Sequence, residues 1–139
     1  MIIEIISFGF KTNDIPNTNY LIDVRFLNNP FYVDELKNLT GLDKEVINFF
    51  KADQNIDEFL NNLFSWVEYI LKSNKYANKE KIIISIGCTG GQHRSPYITE
   101  CLAKYLADKN DLCSELSIRH RELKKYTILR TKETGDCVS

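Results

Sequence analysis

The sequence predicts an α/β fold: a mostly parallel sheet of about four strands with helices on its faces. Short β-branched segments alternate along the chain with segments of helical periodicity, and this alternation is typical of βαβ units. Residues 81–87 form a nearly continuous apolar run, as expected for a parallel strand that is covered on both faces. A glycine-rich turn follows this run directly and leads into another helical segment.

The strands are predicted where apolar and β-branched residues cluster. The first predicted strand ends at Gly9, and the second is closed by the Asn-Asn-Pro of residues 28–30, which is a turn signal. The four predicted strands cover residues 2–8, 21–26, 81–87 and 113–118.

The helices are predicted from capping and apolar spacing. Asp43 is a suitable N-cap for a helix over residues 44–51. From Ile56 to Leu71 apolar residues recur with i, i+3, i+4 spacing, so the aromatic residues of this segment are assigned to the core. A third helix follows the glycine-rich turn and ends near Asn110, and the basic stretch 119–125 is also interpreted as helical.

The chain has 139 residues, which suits one domain. We place this domain at residues 1–126 and interpret residues 127–139 as a flexible tail. The net charge of −1 argues against a protein that coats nucleic acid indiscriminately. Residues 117–134 nevertheless contain six Lys or Arg against two Glu, so this end suits either an RNA or acidic-protein contact or a solvated helix face.

The four cysteines lie at positions 88, 101, 113 and 137, and no pair has the Cys-x-x-Cys spacing of zinc or thioredoxin-like sites. We therefore expect no metal and no cofactor. The N-terminus does not resemble a signal peptide, and no apolar run reaches the 18 residues of a membrane span. These features predict a cytoplasmic protein with reduced thiols and no membrane partner.

The glycine-rich turn, Cys-Thr-Gly-Gly-Gln-His-Arg-Ser at residues 88–95, has the chemistry of an anion-binding loop. A loop between a strand and a helix presents backbone N–H groups to an anion, in line with the positive end of the helix dipole. Gly90 and Gly91 allow the backbone geometry of such a loop. Its side-chain donors are Thr89, His93, Arg94 and Ser95. The Walker pattern is absent, so ATP hydrolysis is not indicated.

The same loop reads Cys-x5-Arg, from Cys88 to Arg94, which is the spacing of cysteine-dependent phosphatases. A helix N-terminus and an arginine would lower the pKa of the thiol, and the thiolate would attack phosphorus. Gly87 stands where such enzymes usually have a histidine, and no Asp is placed as the acid for the leaving group. A phosphatase-like enzyme therefore stays the alternative to a non-catalytic binding site. Cys101 and Cys113 are assigned to the core.

Asp23 and Arg25 alternate on the second predicted strand, so they share one face near its carboxyl end. Ligands of parallel α/β sheets bind at the carboxyl ends of strands. The two residues are therefore either a surface ion pair or part of the same site as the loop.

Five motifs resemble a known family. They are Ser-Phe-Gly-Phe-Lys at 7–11, Asp-Val-Arg-Phe-Leu-Asn-Asn-Pro at 23–30, Leu-Thr-Gly-Leu-Asp at 39–43, Ile-Gly-Cys-Thr-Gly-Gly-Gln-His-Arg-Ser at 86–95, and Arg-His-Arg-Glu-Leu at 119–123. From about Ile5 to Lys125 the chain resembles the C-terminal domain of the RapZ/YvcJ family of bacterial RNase adapter proteins. It departs from the enteric member at Phe31, where that protein has a histidine, and from Tyr126 onward.

The resemblance implies a regulatory domain that senses a phosphorylated metabolite, an amino-sugar phosphate such as glucosamine-6-phosphate, and presents small RNAs to a nuclease. It implies that Cys88, Thr89, Gly90, Gly91, His93 and Arg94 hold the sugar phosphate, and that Asp23 and Arg25 face the sugar or brace the loop. It implies an RNA-binding set of Arg119, Arg121, Lys124 and Lys125. The Walker-type kinase-like domain of the family does not occur in this sequence, so we expect a stand-alone domain that forms homo-oligomers and has a protein partner.

Overall fold

The computed structural model describes residues 1–131, and in this range a five-stranded sheet carries three α-helices. The elements in chain order are β1 (Ile2–Gly9), β2 (Tyr20–Asp23), α1 (Lys44–Lys51), α2 (Ile56–Tyr76), β3 (Lys81–Cys88), α3 (Arg94–Ala107), β4 (Glu115–His120) and β5 (Lys125–Arg130). Short 3-10 helices follow β1 and β2 in the chain, at Phe10–Thr12 and Pro30–Tyr32. The predicted α/β fold is confirmed.

The sheet is parallel except at one edge. Its strand order is β2-β3-β1-β4-β5, with β1 parallel to both β3 and β4, and β2 parallel to β3. The chain passes from β3 through α3 to β4, on the other side of β1. The carboxyl ends of β1, β2 and β3 therefore meet at one edge of the sheet, where connections diverge and α/β proteins place their ligands.

One face of the sheet forms the core together with the helices. Ile5 is in register with Ile84 on one side and with Ile118 on the other, and all three are buried in the same apolar cluster. Phe50 of α1 joins this cluster and stacks on Tyr97 of α3, with ring centroids 4.6 Å apart. Burial of such side chains is the main stabilising contribution to the fold, and it fixes α3 against the strand that precedes it.

The strand predicted at residues 21–26 ends earlier, at Asp23. The Asp23 carboxylate accepts the backbone N–H of Arg25 at 2.9 Å, and Val24 donates to the Gly87 carbonyl at 2.9 Å. A side chain that bonds the backbone two residues on competes with continued strand pairing. Asp23 therefore ends β2 beside Gly87, near the end of β3.

The basic stretch 119–125, predicted to be helical, is instead the end of β4, a turn and the start of β5. Lys124 has a φ of 56° and donates its N–H to the Arg121 carbonyl, which closes the turn. The alternation of Tyr126 and Ile128 with smaller residues fits the pleat of a strand, and β5 pairs antiparallel with β4. Residues 127–130 of the predicted tail thus belong to the sheet, and residues 132–139 lie outside the described part.

Candidate functional site

A cleft of about 250 Å³ opens at the carboxyl end of the sheet, beside the end of β3 and the first turn of α3. Five residues of the predicted ligand set line it: Cys88, Thr89, Gly90, His93 and Arg94. In the described part of the chain, four others lie outside the lining: Asp23, Arg25, Gly91 and Ser95. The cleft also has five lining residues that were not in the predicted ligand set: Lys11, Asn29, Phe31, Tyr32 and Gln92.

Glycines bring the loop after β3 into direct contact with the end of β1. A Cβ on Gly9 would lie 2.7 Å from the carbonyl carbon of Gly90, and one on Gly91 would lie 2.8 Å from the nitrogen of Gly9. Gly91 also has a φ of +68°, which favours glycine. A Cβ on Gly90 would instead meet no described atom within 4 Å, and its φ is not left-handed. The space in front of Gly90 is open to the cleft.

Cys88 lies at the base of the loop with its side chain turned toward α3. Its Sγ lies 3.2 Å from Ser95 Oγ and accepts the Ser95 backbone N–H at 3.4 Å. Ser95 Oγ also donates to the Phe8 carbonyl at 3.3 Å, so this hydroxyl is used inside the protein. The Ser95 backbone N–H is therefore the donor directed at Sγ, and Cys88 is 2% exposed.

Arg94 is used mainly to connect segments of the protein. Its Nη1 donates to the carbonyls of Arg25 and Leu27 at 2.7 and 3.3 Å, and its Nη2 donates to Thr89 Oγ1 at 3.4 Å. The side chain is 5% exposed. Since Nη1 is satisfied by backbone carbonyls, Arg94 offers an anion one edge of its guanidinium and a fixed positive charge. A bidentate contact through Nη1 and Nη2 would require the Nη1 bonds to break.

The side chains of Gln92 and His93 fasten the segment after the second 3-10 helix to the loop. Gln92 Nε2 donates to the carbonyls of Lys37 and Leu39 at 2.8 and 2.7 Å. His93 Nε2 lies 2.9 Å from the Leu36 carbonyl, which can only accept, so Nε2 carries the proton. Burial lowers the pKa of His93. His93 is therefore neutral near pH 7, and its remaining ring nitrogen cannot donate to a phosphate.

Asp23 and Arg25 form an ion pair behind Arg94. Arg25 Nη2 lies 2.7 Å from Asp23 Oδ2, and Arg25 Nε lies 3.0 Å from Oδ1. The hydrogen bond from Arg25 lowers the pKa of Asp23, and the same bond raises the pKa of Arg25. The Arg25 guanidinium also lies 4.1 Å from the centre of the Phe10 ring. Both carboxylate oxygens of Asp23 are bound by Arg25. The pair fixes the backbone at residues 23–25, and the Arg25 carbonyl of this segment accepts a hydrogen bond from Arg94.

Glu122 and Arg121 support the loop from the side of β4. Glu122 Oε2 accepts the Gly9 backbone N–H at 2.6 Å, and its Cγ lies next to Gly91. Arg121 Nε donates to Glu122 Oε1 at 3.1 Å, and its Nη2 donates to Thr12 Oγ1 at 2.9 Å. Glu122 was part of a recognised motif, but nothing in the sequence indicated its contact with Gly9.

The four residues of the predicted RNA-binding set are not equivalent in the structure. Arg121 is committed to the contacts just described. Arg119 is half-exposed, with its guanidinium 4.6 Å from the centre of the Tyr126 ring. Lys124 and Lys125 lie at the turn and the start of β5, next to Arg119 and Tyr126. Three of the four cations are therefore presented around one exposed aromatic ring.

Residues 1–124 match the sequence profile described as the RapZ C-terminal domain. This chain belongs to the RapZ C-terminal domain family. A protein named nucleotide-binding protein in Corynebacterium glutamicum (strain R) is 39% identical over 124 residues, which is 89% of this chain and 40% of that protein. Similarly named proteins of Lactobacillus acidophilus and Thermotoga neapolitana are 41% and 39% identical over 89% and 88% of the chain.

The chain spans about two fifths of the length of these curated relatives. The part of the chain that matches the family profile includes the loop after β3, the Asp23–Arg25 ion pair at the end of β2, and Glu122. Among residues 1–131, none of the helices is both long enough and apolar enough to cross a bilayer.

Proposed function

We propose that this RapZ C-terminal domain is a regulatory module whose cleft binds a phosphorylated small molecule. The observation that carries the proposal is Gly90. The fold does not require a glycine there, because neither a left-handed φ nor a close neighbour excludes a side chain. A residue without a side chain at the mouth of a strand–loop–helix turn lets an anion approach the backbone N–H groups directly.

The charge of the cleft supports the same ligand chemistry. Lys11 and Arg94 contribute positive charge to the lining, and in the described part of the chain no carboxylate lines the cleft. The N-terminus of α3 lies behind the loop, and the positive end of its helix dipole favours negative charge. Thr89 is exposed at the loop and can donate its hydroxyl.

Two descriptions of the ligand are compatible with this chemistry. The family resemblance implies an amino-sugar phosphate such as glucosamine-6-phosphate, whereas the relatives are named for nucleotide binding. Both ligands carry the phosphate that the loop would hold, so the proposal rests on the phosphate.

The substitution Gly90→Ala tests the proposal. We expect inorganic phosphate and glucosamine-6-phosphate to raise the melting temperature of the wild-type domain, as any ligand of the folded state does. In Gly90→Ala the affinity should fall by about tenfold or more, while the melting temperature without ligand stays at the wild-type value because the added Cβ meets only open space. Equal phosphate affinity in both proteins would contradict the proposal.

A cysteine-dependent phosphatase is the second candidate, because Ser95 directs its backbone N–H at Cys88 Sγ. Cys88→Ser distinguishes the two functions. If the domain is a binding module, Cys88→Ser keeps most of its phosphate affinity, and neither the wild type nor the variant turns over p-nitrophenyl phosphate. An enzyme turns the ester over and loses this activity completely in Cys88→Ser.

We further propose that the output of the domain is an RNA or protein contact at the Arg119, Lys124 and Lys125 surface, and that the domain acts as a homo-oligomer in the cytoplasm. The RNA contact is supported by the clustering of these cations around the half-exposed ring of Tyr126, since cations combined with an aromatic ring suit single-stranded nucleic acid.

A further inference from the structure

We infer that the ligand of the cleft is a nucleoside monophosphate, with its phosphate at the loop and its base stacked against Phe31 and Tyr32. The inference rests on the proposed phosphate site and adds the class of ligand. Three features of the cleft carry it: the exposed aromatic pair, the charges of the lining and the size of the space.

Phe31 and Tyr32 line the same cleft as the loop, and they are 44% and 83% exposed. Their rings contact each other edge to face, with centroids 5.9 Å apart. Two large aromatic rings exposed side by side cost hydrophobic free energy when nothing covers them. Such rings at a polar cleft provide a stacking surface for a planar ligand.

The backbone holds this aromatic pair in place. Asn29 Oδ1 accepts the Phe31 N–H at 3.1 Å, the Tyr32 N–H bonds the Asn29 carbonyl at 3.3 Å, and the preceding Pro30 is buried. The short 3-10 helix therefore presents both rings from a fixed base. A surface ordered before binding loses less conformational entropy when the ligand arrives.

The charges of the cleft favour a neutral ring over an amino sugar. The ammonium group of an amino sugar would call for a carboxylate, but Asp23 lies outside the lining and both of its oxygens are bound by Arg25. Lys37 Nζ lies 4.9 Å from the centre of the Phe31 ring, so its charge repels a second cation near this ring. A neutral nucleobase meets no such repulsion, while its phosphate is attracted by Lys11 and Arg94.

The size of the cleft limits the ligand to one nucleotide. Ligand pockets commonly enclose about 300–1,000 Å³, and this cleft of about 250 Å³ lies just below that range. A dinucleotide would extend far outside it. The loop and the aromatic pair line the same cleft, which matches a ligand that carries both a phosphate and a base.

The test compares AMP, UMP, ribose-5-phosphate, glucosamine-6-phosphate and inorganic phosphate by titration calorimetry on the whole chain. We expect at least one nucleotide to bind about tenfold more tightly than ribose-5-phosphate, the gain expected from one stacked base. In Phe31→Leu, which keeps an apolar side chain but removes the ring, nucleotide affinity should fall to the ribose-5-phosphate level. Affinity for ribose-5-phosphate and inorganic phosphate should not change.

Tyr76→Leu is the matched control, because Tyr76 is a highly exposed aromatic residue at the end of α2, outside the cleft lining. It should bind every ligand as the wild type does. Tighter binding of glucosamine-6-phosphate than of either nucleotide would overturn the inference, as would an equal loss of all ligands in Phe31→Leu. In both cases phosphate binding survives, whereas a failure of every ligand to bind would refute the proposed function itself.

Discussion

At the scale of single residues, the conformation of the loop depends on Glu122 as well as on the donors within the loop. Glu122 holds the Gly9 N–H and contacts Gly91, so a carboxylate lies directly behind a site proposed for an anion. Its charge is partly compensated by Arg121, which lies 3.1 Å away. The carboxylate therefore positions the loop and at the same time opposes binding of negative charge.

These two roles of Glu122 can be separated by substitution. Glu122→Gln keeps an oxygen for the Gly9 N–H and removes the negative charge, so we expect affinity for inorganic phosphate to rise a few-fold, the size of a screened charge interaction. Glu122→Ala leaves the Gly9 N–H without its partner and should lower the free energy of unfolding by about 1–3 kcal/mol. Calorimetric titration and urea unfolding measure the two effects, and weaker phosphate binding in Glu122→Gln would contradict the electrostatic role.

The sequence identified the residues of the loop better than it identified their partners. Cys88, Thr89, Gly90, His93 and Arg94 all line the cleft. Their bonds, however, depend on contacts between segments far apart in the chain, such as Arg94 with the carbonyl of residue 25 and His93 with that of residue 36. No local sequence pattern encodes such contacts. Side chains that the sequence marked as donors to a ligand therefore donate to backbone carbonyls in the folded protein.

At the scale of elements, the loop and the segment 36–41 behave as one unit. Besides the side-chain bonds of Gln92 and His93, Gly41 donates its N–H to the Gln92 carbonyl at 2.8 Å. A Cβ on Gly41 would lie 2.3 Å from the His93 carbonyl oxygen, so this approach requires glycine. The segment that follows Phe31 and Tyr32 is therefore fixed directly to the loop.

His93 should make the stability of this unit depend on pH. Burial lowers its pKa in the folded protein, whereas an unfolded histidine titrates near about 6.5. As pH falls below that value the unfolded chain takes up a proton that the folded protein resists, so the stabilisation is complete above about pH 6.5 and is lost on acidification.

The variant His93→Phe measures this contribution. At pH 8 it should unfold about 1–3 kcal/mol more easily, because the Leu36 carbonyl is left unpaired, and the difference from wild type should shrink by pH 5. Gln92→Leu is the control, since it removes bonds to the same segment without a titrating group and should show a difference independent of pH. Urea unfolding at the two pH values gives both numbers, and a constant difference for His93→Phe would contradict the assignment.

At the element scale, prediction succeeded where capping and apolar spacing marked a helix. It failed where pairing with a neighbouring strand determines the conformation of a segment. The helix over 44–51 was predicted with its bounds, and Asp43 takes the N-cap position, although its carboxylate accepts the Thr40 N–H instead of a helical one. β5 was missed because its short Tyr-Thr-Ile alternation lies between a basic stretch interpreted as a helix and a segment interpreted as a tail. It is a strand because β4 offers it an edge to pair with.

At the scale of the whole molecule, the net charge of −1 means that any polyanion must be bound by a local surface. The described structure offers one at Arg119, Lys124 and Lys125, around Tyr126. Arg121 does not add to it, because its guanidinium is bound to Glu122 and Thr12. The surface lies on the same turn as Glu122, so the proposed RNA contact and the phosphate loop share one structural support.

This arrangement predicts the salt dependence of RNA binding. Three phosphate contacts give a slope of log affinity against log salt of about −2, since each contact on a single strand contributes about −0.7. Replacing Arg119, Lys124 and Lys125 by Gln should bring the slope close to zero. Replacing Lys44, Lys79 and Lys104, which are exposed elsewhere, changes the net charge equally and should leave the slope unchanged. Fluorescence anisotropy with a labelled single-stranded RNA measures both, and an equal loss of slope in the two triple variants would show that net charge, and not this surface, binds the RNA.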